Sequence, residues 1–368
     1  MIRLATVFSG IGSIEWALKR LDVEHEIVFA CDNGEIDLDV DEEMLRDRIK
    51  SAKSLDEKKD IVDSLLCKIR KRNFVKETYL ANYNITEDKF LHDIRFVDGT
   101  EYNNIDLFVG GSPCQSFSIM GYQLGFEDTR GTLFYDYARL VSEIKPKVFI
   151  YENVQGMLKH DHGKTWEVIK RTFDSLGYDL NIKVLDAKDY GIPQTRRRLF
   201  VVGFRKDLKI SNFEFPAEKE LEFTLQDFLV TNCKEGNFVS NNGIIELTRE
   251  GQDIDDKYFL SPLVEKHVMS GGSGNYYTKP EIDLKIARPL LCTMHKMHRA
   301  GVDNYITYKN KIRKLTPREC LRLMGYDDSF KIVTSDLQMY RQAGNSIVVD
   351  VMMAVYKQIE LTGVFKED

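Results

Sequence analysis

The chain has 368 residues, enough for one large domain with a substantial core and a smaller second one. A formal charge of −6 argues on average against a polyanionic partner, but binding follows local fields. Six cysteines without paired spacing or a Cys-x-x-Cys suggest neither a disulfide framework nor a zinc ribbon and fit a reducing compartment. Met1-Ile2-Arg3 runs straight into an apolar stretch with no room for a leader, and no later run reaches membrane-spanning length. A soluble, cytoplasmic protein is therefore expected.

In chain order, Leu4 to Phe8, the turn Ser9-Gly10-Ile11-Gly12-Ser13 and a helical pattern through Leu18 predict strand, glycine turn and helix, followed by a strand at Glu26 to Cys31. This is the opening of a doubly wound sheet. Asp41 to Arg72 is crowded with both charge signs, yet Ile61, Leu65 and Ile69 recur at helical spacing, which predicts a helical insertion with one apolar stripe. Strand-like runs at Ile105 to Val109, Lys147 to Tyr151, Leu180 to Leu185 and Leu199 to Phe204 alternate with helical stretches such as Trp166 to Leu176. The expected fold class is α/β, a doubly wound, mostly parallel sheet with helices on both faces. Beyond Arg205 the signals become irregular and loop-rich, at Asn241-Asn242-Gly243 and from Gly271 to Tyr277, and a second lobe is expected there. The helical pattern at Ser346 to Leu361 is too apolar on one side to stand alone and should pack back on the first lobe.

Several groups could carry chemistry. Cys114 follows Gly110-Gly111-Ser112-Pro113 at the end of a strand, where a thiol is either a small core residue or a nucleophile. Glu152-Asn153-Val154 closes the strand-like run Lys147 to Tyr151, and a buried carboxyl there would hold a proton near neutrality. Asp32, at the end of the second strand, is either a ribose acceptor or a solvated acid. In Gln194-Thr195-Arg196-Arg197-Arg198, alternation places Arg196 and Arg198 on one side and Arg197 on the other, as anion ligands or as a charged strand edge. From Leu284 to Arg322, Lys285, Arg288, Lys296, Arg299, Lys309, Lys311, Arg313, Lys314, Arg318 and Arg322 stand against only Asp303 and Glu319, either a solvated face or a polyanion contact. The run Cys292 to His298 lacks a cysteine pair at finger spacing, so polar contacts to a nucleic acid are expected there in preference to a metal.

In this order the blocks resemble those of the cytosine-5 DNA methyltransferases of bacterial restriction-modification type. Phe8-Ser9-Gly10-Ile11-Gly12 resembles the family's first motif, Pro113-Cys114-Gln115 its nucleophile motif, Glu152-Asn153-Val154 its acid motif and Gln194 with Arg196 and Arg198 its Gln-x-Arg-x-Arg motif. Arg313 to Glu319 is similar to the ninth motif and Gln342 to Ser346 to the tenth. The resemblance covers most of the chain outside 41–72 and 211–283, and implies a sheet of the S-adenosylmethionine-dependent methyltransferase type with a smaller, irregular target-recognition domain. It implies methyl transfer from S-adenosylmethionine, without a metal, to carbon 5 of a cytosine flipped out of double-stranded DNA. Cys114, Glu152, Arg196 and Arg198 would be the catalytic set, Cys114 adding to carbon 6, Arg198 addressing the base's carbonyl oxygen and Arg196 ordering the site. Phe8, Gly10, Gly12, Asp32, Asp93, Leu133 and Asn345 would contact the cofactor. Ser116, Arg130, Thr293, His295 and Lys296 would contact DNA, and Ser116 to Gly131 would form the loop that closes over the base. Ser13 and Asn33 depart from the pattern, where glycine and an aromatic residue are frequent. The implied division is 1–205 plus 331–368 for the catalytic domain, with the 41–72 insertion, and 206–330 for target recognition. A monomer suffices, and the resemblance implies either a companion restriction endonuclease acting independently or an orphan or phage-borne enzyme without one. The tRNA-modifying branch carries a Cys-Phe-Thr motif in its recognition region, whereas here Thr293 follows Cys292 directly, which favours DNA. Retention of Cys114, Glu152, Arg198 and Asn345 argues against an inactive binding homologue.

Overall fold

The computed structural model describes residues 1–113, 133–234, 236–239, 244–273 and 276–366. Seven strands form the central sheet: β1 (Ile2–Val7), β2 (His25–Cys31), β3 (Phe90–Leu91), β4 (Leu107–Gly110), β5 (Val148–Val154), β6 (Tyr178–Asp186) and β7 (Arg197–Arg205). Their order is β3-β2-β1-β4-β5-β7-β6. The first five run parallel, while β7 inserts between β5 and β6 antiparallel to both. The sheet is mostly parallel, as expected, and belongs to the doubly wound α/β class.

Period-two alternation explains why these runs are apolar throughout. Leu4, Leu107, Val109, Val148 and Ile150 face one core, whereas Ala5, Val7, Phe108, Phe149 and Tyr151 face the other. Both faces are covered, so neither can be polar. The first core is closed by α1 (Ser13–Arg20) and α10 (Val349–Leu361), joined by the buried Arg20–Asp350 ion pair. The carboxy-terminal helix thus packs on the first lobe, as its one-sided apolar pattern requires. On the second face lie α5 (Leu133–Ile144) and α6 (Lys164–Ser175), which contribute Phe134, Tyr137, Ile169 and Phe173.

The insertion forms α2 (Glu42–Ser51) and α3 (Leu55–Leu66), capped by Asp41 and Ser54, before α4 (Phe74–Asn82). Its small core joins Leu45, Ile49 and Val62 to Phe96, with Ile61, Leu65 and Ile69 packed alongside. The apolar stripe read from the sequence is this packing face.

Among the described residues, segment 206–330 carries α7 (Pro262–Val268), α8 (Pro317–Arg322) and three two-stranded antiparallel sheets, β8–β9 (Gly236–Val239, Ile244–Leu247), β10–β11 (Gly272–Ser273, Tyr276–Tyr277) and β12–β13 (Tyr305–Tyr308, Lys311–Lys314). Phe213, Leu225, Phe228, Leu290 and Ile306 join the core of the first sheet face. Tyr326 and Phe330 lie against Trp16 of α1, with ring centroids 6.0 and 5.1 Å away. The last turn of this segment therefore rests on the sheet-bearing body. Finally, α9 (Asp336–Asn345) leads into α10.

Candidate active site

In open α/β sheets, ligands bind outside the carboxyl ends of the strands. Four loops meet at that edge here, after β1, β2, β3 and β4. In the first, Phe8, Gly10 and Gly12 all have positive φ, at 51, 54 and 77°. Gly12 is required twice over, because a Cβ would also lie 2.4 Å from the Tyr83 ring. The Tyr83 hydroxyl donates to the Ile11 and Gly12 carbonyls and holds the turn shut.

Asp32 ends β2. Its Oδ2 accepts from Gly10 N at 2.9 Å and its Oδ1 from Gly34 N at 2.8 Å. Burial pushes this carboxyl up while the two amides pull it down. Each oxygen keeps a lone pair beyond its amide bond, so the group can still accept from a vicinal diol. Asn73, the cap of α4, donates to the Asp32 carbonyl at 2.9 Å, tying the end of the insertion to the crevice. Asp93, after β3, has its carboxylate bracketed by Arg95 at 2.7–3.1 Å. Leu133 opens α5 and packs on the second core, and Asn345 is exposed at the end of α9, 3.5 Å from Glu35. Glu35 also pairs with Arg341 of α9. Together these put the tenth-motif helix beside the loop after β2.

At β4 and β5 the chemistry becomes more pointed. β5 extends three residues beyond the run read from the sequence, so Glu152 lies inside the strand and not after it. A Cβ on Gly111 would lie 2.5 Å from the Glu152 carbonyl and 2.9 Å from its Oε2. Only glycine lets the turn approach that closely. Asn153 fastens the same turn, donating to the Ser112 carbonyl at 3.0 Å and to the Tyr151 hydroxyl at 2.9 Å, while Ser112 Oγ lies 2.7 Å from that hydroxyl. Glu152 is mostly buried, and Arg198 Nε stands 3.1 Å from its Oε1. Burial raises the Glu152 pKa; Arg198 and Arg196 oppose the shift. Register accounts for the pairing, since Arg198 faces Val154 across the β5–β7 ladder, two residues from the Phe200 that faces Glu152.

Alternation along the arginine triplet holds. Arg197 turns outward to Asp186 at 3.1 Å. Arg196 is buried and donates to the carbonyls of Leu290, Gly344 and Ser346 at 2.8–2.9 Å. Burial, with Arg198 nearby, lowers its pKa to about 9. Its guanidinium therefore joins β7, segment 206–330 and the Gln342 to Ser346 stretch. Gln194 does the same, donating to Leu323 O and accepting from Leu290 N.

Cys114, Ser116 and Arg130 lie outside the described residues. Thr293 Oγ1 is 2.9 Å from His298 Nε2, His295 Nδ1 is 3.2 Å from Cys292 O, and Lys296 is exposed. The basic run is divided by the fold. Arg313 and Glu319 form a fully buried pair, Arg322 pairs with Asp328, and Arg318 donates to the carbonyls of Asp327 and Phe330. Lys285, Lys296, Lys309 and Lys311 remain exposed, and Lys309 pairs with Asp253. Among the described residues no cluster of three or more His, Cys, Asp or Glu could hold a metal ion, and no helix is long and apolar enough to cross a membrane.

Sequence reasoning missed Tyr83, Asn73 and Arg95, and gave Asn153 a place in a motif but no part of its own. Only Asn73 carried a signal, as a capping residue before α4.

Comparison with known proteins adds an independent line. The family model for C-5 cytosine-specific DNA methylase matches residues 54–361. Type II methyltransferase M.HhaI of Haemophilus parahaemolyticus is 38% identical over 288 residues, 77% of this chain and 83% of that protein. Type II methyltransferase M1.ScrFI of Lactococcus lactis subsp. cremoris is 35% identical over 78% of this chain and 69% of its own length. Orphan methyltransferase M.SPRI of Bacillus phage SPR aligns over 100% of this chain and 99% of its own at 27% identity. Among solved structures, the S. pombe Dnmt2 methyltransferase superposes with a TM-score of 0.66 at 19% identity, covering 100% of both chains. A putative DNA modification methyltransferase encoded within an E. coli prophage gives 0.59 at 19% identity, over 98% of this chain and 99% of that one. At such identity the structural likeness speaks for the fold alone.

Proposed function

Because this chain belongs to the C-5 cytosine-specific DNA methylases, we propose that Cys114, Glu152 and Arg198 perform cytosine-5 methylation on a base flipped out of a short duplex DNA target. The observation that carries this division of roles is the Glu152–Arg198 pair set against the glycine turn that leads to position 114. A ring carbon is too weak a nucleophile to take a methyl group unless covalent addition first enriches it. Sulfur of Cys114 bonds to carbon 6, and the electron pair displaced from the 5,6 double bond moves toward carbon 5 and the ring nitrogen N3. Glu152, whose burial favours its protonated form, holds a proton at N3. Arg198 keeps that carboxyl in place and presents its remaining donors to the base carbonyl. Once carbon 5 is methylated, loss of its proton restores the double bond and expels the thiolate.

S-adenosylmethionine, when bound, supplies the electrophilic methyl group. The crevice residues fit it: Phe8, Gly10 and Gly12 form a tight turn, Asp32 offers a diol acceptor, and Asp93, Leu133 and Asn345 stand after β3, at the start of α5 and at the end of α9. Arg196 is a positioning residue. Segment 206–330 is proposed for target recognition, with Thr293, His295 and Lys296 toward DNA and Ser116 and Arg130 on the closing loop. Kinship to type II methyltransferases supports a companion endonuclease acting independently, whereas the likeness to an orphan phage methyltransferase supports an enzyme without one, and a cytoplasmic monomer suffices for the chemistry.

DNA containing 5-fluorocytosine tests the core of the reading, because fluorine blocks the final elimination. Wild type should form a covalent adduct that survives denaturation, and Cys114→Ala should form none while still binding DNA. Normal DNA binding by wild type without an adduct would refute the covalent step. Bisulfite sequencing of plasmid from an expressing host then gives the methylated base and its context.

A further inference from the structure

The insertion touches the crevice at two points through one helix. Glu42 and Arg46 stand one turn apart on α2, on the same face. Glu42 Oε1 accepts from Arg95 Nη1 at 2.5 Å, and Arg95 brackets Asp93 with its other nitrogens. Arg46 donates to Asp136 Oδ1 at 2.9 Å, in the first turn of α5. Arg139, one turn further along α5, shares Asp136 and donates to the carbonyls of Ile94 at 2.8 Å and Val97 at 2.7 Å. Between these arms, Leu45 and Ile49 of α2 pack on Phe96. The segment from Asp93 to Val97 is thus gripped from both sides and from behind.

That segment forms one wall of the crevice. It follows β3, whose last residue accepts from Asp32 N through its carbonyl at 3.1 Å. At the end of β2, burial first and then the charges of Asp93, Asp32 and Asp136 push the Cys31 thiol up, which marks the three acids as neighbours of one strand end. Arg95 holds Asp93, and Arg46 and Arg139 hold Asp136, whereas Asp32 is held by the Gly10 and Gly34 amides. The inner partners are well buried, with side-chain exposures of 4% for Asp93, 10% for Asp136 and 17% for Arg95. These pairs are consequently less screened than ordinary surface bridges.

We propose that α2 is a positioning element for the cofactor crevice: Glu42 acting through Arg95 and Arg46 acting through Asp136 fix the Asp93–Val97 wall, so that the insertion sets how tightly the nucleoside end of the cofactor is held. This rests on the assignment of that crevice to S-adenosylmethionine. Neither side chain is needed to touch the ligand, and neither belongs to the Cys114, Glu152 and Arg198 set.

Calorimetric titration of the full-length protein with S-adenosylhomocysteine tests the idea without turnover. Glu42→Gln with Arg46→Gln should raise the dissociation constant about three- to tenfold, by removing two partly buried ion pairs that order the wall. The cofactor KM should rise by the same factor, with kcat at saturating cofactor and duplex affinity nearly constant. Arg46→Lys should recover part of the loss, and Arg48→Ala, exposed on the same helix, should bind as wild type does. If the double variant proves poorly folded, Glu42→Gln alone carries the test, because it keeps the shape and one acceptor. A folded double variant with wild-type affinity overturns the proposal, as does a parallel loss of kcat and DNA affinity, which would mark general loosening. Failure of wild type itself to bind overturns the cofactor assignment, and the two failures are thereby distinguished.

Discussion

The ninth motif makes a sharp prediction about stability in place of catalysis. Arg313 and Glu319 are both fully buried, and Arg313 Nη1 and Nη2 each lie 2.8 Å from a different Glu319 oxygen. Glu319 also accepts from Thr316 N at 2.7 Å, closing a capping box at α8, and from Val230 N at 3.0 Å. Arg313→Met strands a buried carboxylate and should cost about 3–5 kcal/mol. In Glu319→Met the guanidinium loses its partner and two backbone amides lose their acceptor, so the loss should be at least as large. With both residues replaced by methionine no charge is left uncompensated, but the amides of Thr316 and Val230 stay unpaired, at about 1–3 kcal/mol each. The double variant should therefore be less destabilised than the sum of the two singles by several kcal/mol, roughly the worth of removing an unpaired buried charge. Urea unfolding followed by fluorescence and circular dichroism gives all four corners of the cycle. Additive single losses, or an Arg313→Met loss below about 1 kcal/mol, would show that the pair is not the internal tie between 225–233 and α8 that its burial implies.

Other expectations follow from the site. Glu152→Gln should lower kcat by about two to four orders of magnitude while leaving S-adenosylhomocysteine affinity unchanged, as measured by single-turnover methylation and calorimetry. Arg198→Ala should lower kcat and also shift the basic limb of the pH–rate profile upward, because Glu152 acts in its protonated form and the arginine holds down a carboxyl that burial raises. A limb that does not move would separate Arg198 from Glu152. For DNA, Lys296→Gln should reduce the slope of log affinity against log salt by about one, whereas Arg318 and Arg322, committed to carbonyls and Asp328, should leave the slope intact when replaced. His92 donates to the Ile36 carbonyl, and burial lowers its pKa, so the native state takes up a proton less readily than the unfolded chain. Its contribution to stability is present above the unfolded histidine pKa of about 6.5 and is lost as pH falls through it. The urea midpoint of wild type should fall between pH 7.5 and 5.5 by more than that of His92→Gln.

Strand-turn-helix openings, the alternating apolar runs and the motif residues were legible because each is a local pattern with one physical meaning. The strand β5 was read short, because Glu152 and Asn153 look like a loop to any rule that counts apolar residues, although their polarity serves the site. The antiparallel insertion of β7 between β5 and β6 was invisible, since strand direction leaves no local trace when both faces are buried. The basic run from Leu284 to Arg322 was legible as charge but not as destination. A sequence shows that Arg313, Arg318 and Arg322 are cations; it does not show that a glutamate, two carbonyls and an aspartate await them.

The same limit explains why the insertion read as an excursion beside the chemistry. Its apolar stripe was visible and its spacing of Glu42 to Arg46 was visible, yet their partners lie 53 and 90 residues away. Pairings across such separations are decided by the sheet, which brings the ends of β2 and β3 and the start of α5 to one edge before any side chain chooses its partner. Once that edge exists, a helix inserted after β2 meets it through Arg95 and Asp136. On the reading proposed above, Glu42 and Arg46 act on the ligand only through the Asp93–Val97 wall, and their replacement should change its affinity while the proposed Cys114, Glu152 and Arg198 set is left untouched.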